Sequence, residues 1–253
     1  MAKLIFLGTS NAISDASHEN THMVLAGDER VALIDCPNNP IQRLQKVGIN
    51  ADLVTDLILT HFHPDHVSGV PLFLMVMWLM GRIQPINIYG LQHTIDRMEN
   101  LMDIFGWNTW PKFFPVKFTR LPEKVLVPVL ECGDFHIFAS AVKHFIPAIG
   151  LRIEFRNSKK VLAYSGDTKP CAQVVQLAMG ADVLVHEATG ASAGHSSAIQ
   201  AGEEARHAKA GSLVLVHYPN GEFATRDPVA DAQRKFKGPV TLAEDFMVLD
   251  FDK

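Results

Sequence analysis

The chain has 253 residues, 47% hydrophobic and 20% charged, the proportions of a soluble globular protein long enough to bury a substantial core. A formal net charge of −4 excludes a strongly basic nucleic-acid surface, though not a local patch. Cys36, Cys132 and Cys171 are odd in number and far apart, which excludes a disulfide framework or a Cys-x-x-Cys site and points to a reducing, cytoplasmic setting. The apolar run Leu4–Leu7 is too short for a signal h-region, and the window Val70–Met80 falls short of a membrane span.

In chain order, short apolar runs alternate with helical periodicity. Lys3–Leu7 and Val31–Asp35 read as strands, and Ile41–Val47 as a helix. Leu57–Thr60 is a strand, and the segment that follows opens a further helix at Pro64. Ile86–Tyr89 is a strand, followed by a helix over Thr94–Ile104 that Gly106 stops. Phe135–Val142, Leu151–Phe155 and Val161–Tyr164 are successive strands. Val183–His186 and Leu213–His217 are buried-type strands, with a helix over Ser197–Lys209 between them. Two β-rich halves with interspersed helices predict an α/β protein of stacked sheets covered on their outer faces. Nothing marks a boundary, so residues 1–253 read as one domain with a helical, aromatic insert around 71–120.

The chemistry is concentrated in Thr60-His61-Phe62-His63-Pro64-Asp65-His66, directly after an apolar run. Three imidazoles and a carboxylate so close together are hard to place in a core, because each buried polar group needs a partner. A divalent cation supplies that partner, and neutral imidazole and carboxylate are the ligands zinc prefers. With Leu57–His61 extended, His61 and His63 point to one side at its end, and a turn at Pro64 brings Asp65 and His66 round. Further candidates close other apolar strands: His144, Asp167, His186 and His217. A rigid scaffold can aim such residues at one point.

These segments resemble the metallo-β-lactamase superfamily and, within it, the ribonuclease Z-like hydrolases. The likeness runs nearly end to end: Phe6-Leu7-Gly8-Thr9-Ser10, Leu59 to Gly69 around the cluster, and His144 to Arg152. It continues through Tyr164-Ser165-Gly166-Asp167-Thr168, His186-Glu187-Ala188-Thr189, His195-Ser196-Ser197 and Leu215-Val216-His217. The resemblance implies a four-layer αββα sandwich with two divalent ions at one edge, zinc first and manganese or iron as alternatives. It implies that His61, His63 and His144 hold one ion and that Asp65, His66 and His217 hold the other. Asp167 would bridge them, with a hydroxide between the ions as nucleophile. Asp65 would orient that nucleophile or take its proton, and Glu187 with His195 would protonate the leaving oxygen. His186 is expected to brace the site without ligating. His18, His22, His93, His136 and His207 match no ligand position and read as surface or ordinary polar residues. A homodimer is also what the resemblance implies.

Two departures bear on the substrate. Bacterial ribonuclease Z inserts a long arm that grips transfer RNA between the third His motif and the bridging Asp; here only Leu151–Phe155, a turn at 156–160 and Val161–Tyr164 join His144 to Asp167. The segment after Gly8-Thr9 also lacks the proline that the transfer-RNA enzymes place there. The aromatic run Phe105 to Pro115 would serve either as a wall over the cleft or as a loop packed on the core or a dimer contact, and the packed-loop or dimer-contact reading is favoured. The expected activity is therefore hydrolysis of a phosphodiester, either RNA or a small molecule. Hydrolysis of an aryl sulfate, lactone or thioester is the alternative, and a non-catalytic metal-binding homologue is a third reading.

Overall fold

The computed structural model describes residues 2–252. In the first half run β1 (Lys3–Gly8), β2 (His22–Ala26), β3 (Val31–Ile34), α1 (Ile41–Lys46) and β4 (Asp56–Ile58). Then come α2 (Pro64–Val67), α3 (Val70–Leu79), β5 (Ile86–Leu91), α4 (Gln92–Ile104) and β6 (Val116–Leu121). The second half contains β7 (Val127–Glu131), β8 (Phe135–Val142), β9 (Ala148–Phe155), β10 (Val161–Tyr164), α5 (Ala172–Leu177) and β11 (Val183–Glu187). It continues with α6 (Ala198–His207), β12 (Ser212–Val216), α7 (Pro228–Gln233), β13 (Val240–Leu242) and β14 (Val248–Asp250).

The strands form two seven-stranded sheets, ordered β14-β1-β2-β3-β4-β5-β6 and β13-β12-β11-β10-β9-β8-β7. In each, an antiparallel meander gives way to parallel strands, at β3/β4 in the first and β10/β11 in the second. Parallel neighbours need crossover helices, and those helices cover the outer faces. β1 shows the result: Leu4 and Phe6 face the core between the sheets, while Ile5 and Leu7 face the layer of α1, α3 and α4. Both faces are buried, so these strands read as continuous apolar runs without polar alternation. Behind the second sheet the core is mostly alanine, including Ala198, Ala201 and Ala205 of α6, which lets the helix approach the strands closely. The fold is thus the αββα sandwich expected.

Several elements differ from the sequence reading. The strand expected over Leu57–Thr60 is Asp56–Ile58, so His61 and His63 stand on a loop and not on a strand end. β2, β6, β7, α5, α7, β13 and β14 carry weak periodicity and are found only in the structure. The aromatic run packs on the outer core of the first sheet. Trp110 stacks on Trp78 of α3 at 5.2 Å, and Phe114 is buried beside Met77 and Met102 in that core. It forms no wall over the histidine cluster.

Candidate metal centre

The cluster gathers where loops leave the C-terminal ends of β4, β10, β11 and β12 and where β8 turns into β9. After β4, His63 stands at the N-cap position of α2 and Pro64 occupies its first turn, turning Asp65 and His66 back toward His61. The backbone N–H of Cys36 donates to the His66 carbonyl at 2.8 Å, tying this turn to the end of β3. After β10, Gly166 adopts φ +59°, and a Cβ there would lie 2.3 Å from the Ile149 carbonyl oxygen. Only glycine fits that approach, which lets Asp167 reach the cluster.

His61, His63 and His144 converge. His63 Nδ1 lies 3.0 Å from His61 Nε2 and 3.1 Å from His144 Nε2. Asp65, His66 and His217 form a second group, with Asp65 Oδ2 3.6 Å from His66 Nε2 and 3.5 Å from His217 Nε2. Asp167 stands between them: its Oδ2 is 3.9 Å from His61 Nε2, 3.5 Å from His66 Nε2 and 3.4 Å from His217 Nε2.

These residues fit a bound cation. His66 Nε2, His217 Nε2 and Asp167 Oδ1 are buried without a hydrogen-bond partner, a costly arrangement that a cation relieves. Burial pushes His61 well below the ordinary imidazole range and His144 down to about 4, so both are neutral and able to ligate. Burial would also depress His66, but the carboxylates of Asp167 and Asp35 outweigh it and hold that imidazole well above its usual value. The centre of the cluster therefore favours positive charge.

Outer contacts fix the ring orientations. His144 Nδ1 donates to the Gly194 carbonyl at 2.8 Å, and His66 Nδ1 to Asp35 at 2.8 Å. Thr189 Oγ1 donates to the His217 carbonyl, and so accepts from His217 Nδ1 at 2.7 Å. Thr60 Oγ1 donates to Asp35 and accepts from His61 Nδ1 at 3.1 Å. Each of these imidazoles thereby directs Nε2 at the cluster. Asp35 was missed from sequence. Its φ of +62° and complete burial mark a strained, over-determined position, as does the φ of +53° at His217. The available signal was an acidic residue closing the apolar run Val31–Ile34.

Glu187 is fully buried and accepts from the Thr168 N–H at 2.8 Å. Its carboxylate also receives His195 Nδ1 at 3.0 Å. Burial lowers the His195 pKa, but the Glu187 bond and charge outweigh that and raise it above the ordinary value. His186 lies apart from the cluster and pairs with Glu204 of α6 at 2.8 Å, so its brace runs to the helix layer. His22 is buried, the second of the two readings its sequence allowed, with Nδ1 donating to the Asn20 carbonyl at 2.8 Å. A cavity of about 740 Å³ lies beyond Thr189 and Tyr218, but none of the clustered ligands lines it.

This fold and cluster define a ribonuclease Z-like hydrolase of the metallo-β-lactamase superfamily. Ribonuclease Z of Methanothermobacter thermautotrophicus is 26% identical over 99% of this chain and 97% of its own length. The metallo-β-lactamase fold protein YhfI from Bacillus subtilis superposes with a TM-score of 0.82 at 22% identity, covering 98% of each chain. Human tRNase Z, short form, superposes with a TM-score of 0.77 at 25% identity, covering 98% of this chain and 99% of its own. Within that class the chain belongs to the family described as Anti-Pycsar protein Apyc1, whose model matches residues 2–236. It is a metal-dependent hydrolase.

Proposed function

We propose that the chain is a dinuclear metal phosphodiesterase whose substrate is a small or unstructured phosphodiester and not precursor transfer RNA. The observation that carries the chemistry is Asp167, set within 4 Å of both histidine groups while His195, backed by Glu187, faces it at 3.9 Å. His61, His63 and His144 would hold one ion, Asp65, His66 and His217 the other, and Asp167 both. Two divalent ions, zinc first and manganese or iron as alternatives, would supply an acidified water and neutralise phosphate charge. Asp65, partly open to solvent, would orient the attacking water or accept its proton. His195 holds a proton for the departing oxygen, and Glu187 keeps the imidazole in its charged form.

The substrate reading rests on the short β9–β10 hairpin, which turns at Arg156–Lys160 and leaves no arm between His144 and Asp167. Relatives named ribonuclease Z support phosphodiester chemistry. A single domain acting as a homodimer completes it: α3 is apolar all round, yet Leu72 and Leu79 are exposed, with Met80 and Ile83 beside them. The buried free cysteines suit the cytoplasm. No helix among the described residues is long and apolar enough to cross a membrane.

The test is a panel of bis(p-nitrophenyl) phosphate, an aryl sulfate, a lactone and precursor transfer RNA, each assayed with metal and after chelation. Metal-dependent turnover of the diaryl phosphate with little cleavage of the transfer RNA is expected. Preference for the sulfate or lactone would replace the phosphodiester reading, and no metal-dependent turnover would remove the enzyme.

A further inference from the structure

Phe145 stands on the open side of the cluster. Its ring centroid lies 5.1 Å from that of His144, 6.0 Å from His195 and 6.4 Å from His63. The residue is nevertheless 61% exposed. Single exposed apolar side chains are ordinary on a protein surface; one wedged against three imidazoles of a hydrolytic centre is not. Its seat is built. Gly194 lies under the ring, where a Cβ would come within 2.6 Å of Phe145 Cδ2, and the Gly194 carbonyl is also the acceptor that orients His144. The ring edge is thus held by backbone and imidazoles while much of the ring stays open to solvent.

We infer that Phe145 is an aromatic platform for a planar ring carried by the phosphoryl substrate. The inference rests on the reading that a phosphoryl group sits at the cluster. A group bound among His63, His144 and His195 would bring its substituent alongside Phe145, where offset or edge-to-face packing favours an aromatic ring over an alkyl group. The platform therefore selects aryl- or heterocycle-bearing esters, in keeping with a small substrate.

Calorimetric binding of phenyl-, cyclohexyl- and methylphosphonate to the metal-loaded protein tests this without turnover. Phenylphosphonate should bind on the order of tenfold more tightly than methylphosphonate, with cyclohexylphosphonate near the methyl compound. Phe145→Ala should abolish that preference with metal content unchanged, and Phe145→Trp should keep it. An unchanged preference in Phe145→Ala, or equal binding of cyclohexyl- and phenylphosphonate, overturns the platform and leaves the proposed phosphodiesterase standing. No binding of any phosphonate removes both the phosphoryl site and the platform.

Discussion

Asp167 faces imidazoles of both histidine groups, so its loss should be felt at both. Asp167→Ala is expected to leave less than one ion per chain by elemental analysis; two retained ions would reject the carboxylate as the shared ligand. His195 is bound to Glu187 and lies outside the two histidine groups that converge on Asp65 and His63. His195→Ala should keep metal content and lose about 10²–10⁴-fold in rate on poor leaving groups, with far less loss on activated aryl esters. An equal loss on both would count against proton donation. The dense spacing of His61, His63, Asp65 and His66 made this part of the centre legible in sequence. Asp35 was not legible, because its role depends on a carboxylate just after one strand meeting Thr60 on the loop after another and His66 of the helix that follows.

Among elements, β11 and α6 are tied by the buried His186–Glu204 pair. Burial opposes protonation of His186, but the bond and charge of Glu204 outweigh it, and the folded-state pKa lies above the ordinary 6.5. A raised imidazole stabilises the fold fully below its unfolded value and ceases to as pH rises through the folded one. Wild type should therefore lose stability relative to Glu204→Gln as pH rises from the ordinary 6.5 through the raised folded-state value, measured by urea unfolding. Parallel stability curves would show that the pair is not charged. Strands with long apolar runs, such as Phe135–Val142 and Val161–Tyr164, were readable from composition, and both match the structure end to end. Short or partly exposed strands such as β13 and β14 were not, because their pairing partners lie far away in sequence.

For the whole molecule, the exposed apolar face of α3 marks the proposed dimer contact. Leu79→Glu should shift the sedimentation of the protein toward the monomer and leave metal content unchanged; identical sedimentation would place the contact elsewhere. The sequence by itself determined the sandwich class and the local cluster, since both follow from apolar runs and from donors a few residues apart. Only the tertiary structure decided that His144, Asp167, Glu187, His195 and His217 meet that cluster. It also decided that the tryptophan-rich run packs on the outer core and that Phe145, largely exposed, lies against His63, His144 and His195. These outcomes depend on how two sheets stack and which loops leave the same edge. That information lies in long-range packing, which no local window of sequence contains.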